Sequence, residues 1–107
     1  MELIKERISP EKFKEIAGNE KMLKLAVDID REILSIGCEF HIDCAEQLLK
    51  DGSRRKNIWG ANIYPKDKTI EFTALINIRP EEGNRSMEIQ DDAVRKSVEE
   101  IIHKLLF

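Results

Sequence analysis

His41, Asp43, Cys44 and Glu46 crowd four potential proton carriers or metal ligands into six residues. A histidine next to a carboxylate can act as a general base, and a thiol beside a histidine can act as a nucleophile. Further along, Asn62, Glu71, Asn77 and Arg79 supply amides, a carboxylate and a guanidinium, and Asn84 and Arg85 follow Gly83 in a turn. The Arg79 fork suits a carboxylate or phosphate, and the two amides are adaptable hydrogen-bond partners. A turn with free backbone N–H groups beside Arg85 would form a small anion-binding nest. Two chemistries follow. One is recognition of a small anionic ligand or partner without catalysis, through Asn62, Asn77, Arg79, Asn84 and Arg85. The other is a small hydrolase-type reaction in which His41 is the general base or a metal ligand, Asp43 or Glu71 orients it, and Arg79 stabilises negative charge.

The spacing argues against a resident metal or cofactor. Cys38, Phe40 and Ile42 alternate with Glu39, His41 and Asp43, the pattern of a half-buried strand. On such a strand His41 and Asp43 share a face while Cys44 points away, and no second ligand cluster has the spacing of a zinc site. The same alternation separates Cys44 from His41 as a nucleophile–base pair. Cys38 and Cys44, six residues apart in sequence, would stand about 20 Å apart at ~3.3 Å per residue. That distance is out of bridging range.

Positioning these groups falls to elements that the apolar periodicity outlines. Leu3 to Ile8 is a short mixed segment. Ser9 before Pro10 is a helix start and Gly18 a stop, so residues 10–17 form a short helix burying Phe13, Ile16 and Ala17. Over Glu20 to Ile36, Met22, Leu25, Ala26, Ile29, Ile33 and Ile36 keep helical spacing, although Leu23, Leu25, Val27 and Ile29 also alternate as a strand. The length and the flanking Asn19 and Gly37 favour the helix. Cys44 to Lys50 carries one or two helical turns.

The organising stretch is Trp59 to Gln90. Asn57–Tyr64 and Thr69–Arg79 read as a hairpin around residues 65–68, with Ile63 opposite Ile70, Ala61 opposite Phe72 and Trp59 opposite Ala74. Trp59, Ala61, Ile63, Ile70, Phe72, Ile76 and Ile78 then face the core. Asn62, Tyr64, Glu71, Thr73, Leu75, Asn77 and Arg79 face away. Residues 80–85 form a turn, residues 86–89 a short strand with Met87 and Ile89 inward, and residues 92–106 a final helix capped by Asp91. With the helices on one face, His41, Asp43, Asn62, Glu71, Asn77 and Arg79 would share the open face. That face, with Leu75 and Tyr64, could also seat a second copy of the chain.

Composition narrows the classes. At 107 residues with 41% apolar content, the chain has the size of one globular domain over residues 1–107. Its 36% charged residues, rich in Glu and Lys, resemble the usage of thermophile proteins. A formal charge of −3 makes nucleic acid an unlikely partner, and no apolar run is long enough for a membrane span. The charged start of the chain, Met1 to Ser9, points to the cytoplasm.

The blocks VDIDREIL before Gly37, HIDC at 41–44, LLKDGS at 48–53, WGANIYP at 59–65, LINIRP at 75–80 and GNRSMEIQD at 83–91 together resemble a small family of uncharacterised prokaryotic proteins. The resemblance spans about Lys24 to Leu106. It implies no activity to carry over, and Cys38 departs from a pattern that has a second glycine after Gly37. The sequence therefore predicts an α+β domain, a small and mainly antiparallel sheet with helices packed on one face.

Overall fold

The ends of the first helix follow from its flanking residues. A computed structural model describes residues 1–107 and places α1 at Pro10–Ala17, where Ser9 Oγ accepts the Lys12 N–H at 3.0 Å. Pro10 sits where no N–H is needed, and Gly18 leaves the helix at φ +54°. The last helix, α3 (Asp92–Leu106), is capped in the same way, Asp91 accepting from Ala93 and Val94 N–H. Both helices fall where the capping residues predict.

Residues 20–36 are not a helix. They form most of a hairpin of β2 (Leu23–Asp28) and β3 (Ile33–Cys38). The turn explains why. Asp28 is fully buried and its Oδ1 accepts the Asp30 and Arg31 N–H groups at 2.9 and 3.0 Å, while Glu32 adopts φ +55°. This side-chain turn offers the backbone an alternative to helical bonding. Both strands are buried on both faces, so the apolar run has no polar stripe to reveal its period.

With β1 (Glu2–Ile4), β4 (Ile58–Tyr64) and β5 (Thr69–Glu71) these strands make one five-stranded antiparallel sheet in the order β1-β3-β2-β4-β5. The fold is α+β. One face carries the larger core: Leu25, Val27, Leu34, Ile36, Ala61 and Ile63 pack against Phe13 and Ala17 of α1 and Val98, Ile102 and Leu105 of α3. The other face is also covered. There α2 (His41–Lys50) lays Cys44, Ala45 and Leu48 on Ala26, Ile33 and Ile58. The expected strand over residues 38–43 is therefore the end of β3 followed by the start of this helix, and no open sheet face remains over β2. No helix is long and apolar enough to cross a membrane.

A bulge links β3 to α2. Lys24 pairs with Cys38 and Leu25 with Ile36, leaving Gly37 as an extra residue at φ +86°. One inserted residue reverses the side on which the next side chain emerges. Cys38 is thereby turned toward α2, where it is disulfide-bonded to Cys44 with Cα atoms 5.6 Å apart. The separation of about 20 Å expected for an extended segment fails because the intervening residues turn into a helix. A loop this short gives a cross-link little to restrain, less than the ~3 kcal/mol of a ~15-residue loop.

The β4–β5 register is the expected one, Ile63 opposite Ile70 and Asn62 opposite Glu71. The ladder stops at Glu71 rather than continuing to residue 79. Beyond it the chain crosses over Gly60, where an added Cβ would lie 2.5 Å from the Ala74 Cβ and 3.1 Å from Ile76. Only glycine admits this approach. Residues 86–89 contribute a single bridge, Thr73 to Glu88, which buries Ile89 and leaves Met87 exposed. Ile78, expected in the core, is 42% exposed because the chain turns there instead of running as a strand.

Candidate functional site

The polar residues of the 72–90 segment turn inward. Asn77 is fully buried, and its carboxamide stands where a strand partner would: Oδ1 accepts the Gly60 N–H at 2.8 Å, and Nδ2 donates to Gly60 and Met87 carbonyls, each at 3.0 Å. Arg79, 6% exposed, donates to the Lys56, Ile58 and Ile76 carbonyls and stacks its guanidinium 4.0 Å from the Trp59 ring centroid. Burial works against its charge, and the Glu82 carboxylate 3.9 Å away supports it. The Asn84 amide reaches the Asn77, Ser86 and Glu88 carbonyls at 2.8 to 2.9 Å, while its Oδ1 accepts the Gln90 N–H. Asn77 and Arg79 were expected to face away from the core, and Asn84 to lie in a ligand-binding turn. Instead they replace main-chain pairing that the irregular segment cannot make for itself.

The turn at residues 80–85 is closed in the same sense. The N–H groups of Arg79, Glu82, Gly83 and Asn84 all donate to carbonyls within residues 79–84, and the Arg85 N–H donates to Gln90 Oε1. No nest of free amides remains for an anion. Only the exposed Arg85 side chain is unengaged among the expected ligand-binding groups of this turn.

His41, Asn62 and Glu71 do come together. His41 opens α2, and its Nε2 lies 2.8 Å from Asn62 Oδ1 and 3.1 Å from the Ala61 carbonyl. Two oxygen acceptors at one nitrogen require that Nε2 carry the proton, which leaves Nδ1 as the lone-pair atom. Asn62 Nδ2 donates in turn to Glu71 Oε1 at 2.7 Å. Burial pushes the His41 imidazole below its usual pKa, against the opposing pull of its bonds to Ala61 and Asn62 and of the Glu71 charge. The carboxylate thus reaches the histidine through an amide rather than directly. Asp43 is engaged elsewhere, accepting the Phe40 N–H at 3.3 Å at the start of α2.

Arg79 does not join this group. It is anchored at Ile58, four residues from Asn62 along β4, roughly 13 Å away on an extended strand. Cys44 is held in the disulfide and is neither a free thiol nor a thiolate ligand. A centre combining His41 and Arg79 is therefore not assembled by this fold.

The largest concavity lies on the other side of the sheet, at the end of the main core. It has a volume of about 500 Å³ and is lined by Phe13, Ala17, Leu106 and Phe107 below and by Lys14, Lys21, Lys66 and Lys68 at the rim. A fifth cation, Arg7, is tied to the carbonyls of His103, Lys104 and Phe107 at the end of α3. Glu20 is the one carboxylate side chain in the lining. None of the four lysines belongs to an ion pair; the paired cations are Lys5, Lys12, Arg31, Arg79, Lys96 and Lys104.

Over residues 2–105 the chain matches the family described as Protein of unknown function (DUF5674). The chain belongs to this family. No curated protein and no solved structure matches it. The family therefore fixes kinship over nearly the whole chain, and the function must come from the site geometry.

The cleft was not anticipated from sequence. Its lysines come from the end of α1, the segment before β2 and the β4–β5 turn, and no spacing rule joins them. A usable signal was present locally. Lys66 and Lys68 flank Asp67 at a hairpin tip, and Lys14 is exposed beside the buried Phe13 on α1.

Proposed function

We propose that this protein is a binding module for a small anionic ligand with an apolar body, seated in the cleft between α1, the β4–β5 turn and the end of α3. The observation that carries the reading is the charge of that cleft. A chain of net charge −3 gathers four unpaired lysines around an apolar floor of Phe13 and Phe107. The volume of about 500 Å³ falls within the ~300–1,000 Å³ range of small-molecule sites. Burying the ligand's apolar part against the two phenyl rings would supply most of the affinity, and the lysines would select the charged end. Anion recognition thereby moves from Asn77, Arg79 and Asn84 to a different part of the molecule.

Octyl phosphate, octanol and inorganic phosphate test the two halves of this reading separately. Octyl phosphate should raise the melting temperature and bind with a measurable heat, with octanol and phosphate each at least about tenfold weaker. The double substitution Lys21→Glu and Lys66→Glu, on exposed and unpaired side chains, should remove the octyl phosphate preference without lowering the stability of the free protein. Equal binding of octanol and octyl phosphate would sink the charge argument.

A second reading concerns self-association. Leu75 is 69% exposed, with Ile78 and Met87 also exposed at 42% and 40%, and such apolar side chains suit a surface shared between copies. Sedimentation velocity at several concentrations should show a reversible dimer that Leu75→Asp abolishes.

A further inference from the structure

We propose that the Cys38–Cys44 disulfide is a thiol–disulfide exchange site whose partner is a neutral or cationic dithiol. The two sulfurs are unequally placed. Cys44 is fully buried among Ala26, Ala45, Leu48 and Ile58. Cys38 is also largely buried but keeps 9% exposure and lines two grooves beside the Gly37 bulge, with volumes of about 460 and 430 Å³. Of the two residues it is the one an incoming thiol can reach, which makes the fully buried Cys44 the leaving sulfur.

The bond contributes little that other contacts do not already provide. The middle of β3 and the second half of α2 are joined by the Ser35–Gln47 side-chain hydrogen bond and by α2 packing on the sheet, and the start of α2 is closed by the Phe40 N–H to Asp43. Opening it leaves those contacts in place. A short, locally redundant cross-link with one approachable sulfur suits exchange better than it suits bracing.

The electrons balance as follows. A thiolate of the partner attacks Cys38 Sγ, the Sγ–Sγ bond breaks, and its electron pair leaves on Cys44 Sγ, which takes a proton. The partner's second sulfur then attacks its own sulfur in the mixed disulfide. Cys38 is released as a thiol and the partner leaves as a disulfide. Two electrons and two protons pass from the partner dithiol to the protein, and the reverse sequence oxidises a dithiol.

The grooves set the partner's charge. Glu20, Glu39, Asp43 and Glu46 line them against Lys24, Lys50 and the Met1 amino group, which leaves each groove with an excess of negative charge. An anionic thiol meets repulsion on both sides of Cys38, while a cationic one is attracted.

The test uses the folded, oxidised chain, with circular dichroism to follow the fold and neutral maleimide labelling read by mass spectrometry to follow the thiols. Dithiothreitol should open the disulfide with the fold retained. Among monothiols, compared per unit of thiolate, cysteamine should react faster than mercaptoethanol and mercaptoethanol faster than thioglycolate. The span should be about tenfold at low salt and collapse at high salt. Cys44→Ser should form a mixed disulfide at Cys38 with cystamine, the disulfide of cysteamine, releasing one cysteamine, whereas the thiol of Cys38→Ser should stay unlabelled until the protein unfolds. A disulfide that opens only on unfolding would overturn the proposal, and a flat or reversed charge order would overturn the assigned partner.

Discussion

The two faces of the sheet are built on different principles. Under α1 and α3 the core is almost wholly apolar, and side chains meet side chains. Under α2 and the 72–90 segment the apolar cluster is small, and much of the packing is polar: Asn77, Arg79 and Asn84 are buried and bonded mainly to backbone groups, and Asn62 is buried and bonded mainly to the His41 and Glu71 side chains. The comparison teaches that a set of amides and a guanidinium in one sequence block can be architecture. The charge left without an ion-pair partner lies elsewhere, on the exposed Lys14, Lys21, Lys66 and Lys68.

If polar and apolar faces contribute comparably, substitutions on each should cost similar amounts. Ile102→Ala, at a fully buried position of α3, should cost about 2–5 kcal/mol in denaturant unfolding. Asn77→Ala leaves the Gly60 N–H and the Gly60 and Met87 carbonyls without their partner, and at about 1–3 kcal/mol per buried unmet group it should fall in the same range. A cost below about 1 kcal/mol for Asn77→Ala would break the comparison. Gly60→Ala should cost about 1–3 kcal/mol through overpacking, since the new Cβ meets Ala74 and Ile76 on the crossing chain.

The smallest expected effect is a pH dependence confined to the polar face. The folded protein holds His41 below its ordinary value of 6.5, so the unfolded chain binds the proton more readily and stability rises with pH. The contribution is fully present above about 6.5 and is lost as pH falls from there through the folded value. His41→Gln should flatten unfolding free energy over that window and leave the pH dependence elsewhere unchanged. A window of equal size in the variant would assign the effect to another group.

Legibility in the sequence followed the same division. The helices α1 and α3 were readable to the residue because Ser9, Pro10, Gly18 and Asp91 mark their ends. The β2–β3 hairpin was misread because Leu25 and Ala26 are both buried, one on each face. An apolar run without a wet side fits a helix and a strand equally. The approach of Glu71 to Asn62 followed from hairpin register, whereas His41 arrives beside them on a helix, by a route that alternation concealed. Asn77 and Arg79 were assigned to the outer face because strand parity places them there, and strand parity ends with β5 at Glu71.

The carboxamide of Asn77 has one more consequence. Because β5 pairs only with residues 62–64 of β4, the stretch from Ile58 to Gly60 would otherwise present bare N–H and carbonyl groups along a hydrophobic strand. Such an edge is a template on which another chain can add, and from which fibrils grow. Asn77 occupies both hydrogen-bonding groups of Gly60, and Arg79 takes the Ile58 carbonyl. Two side chains thus close the margin that a longer β5 would have closed. Loss of Asn77 should show itself in concentrated solution as aggregation at temperatures where the variant is still folded.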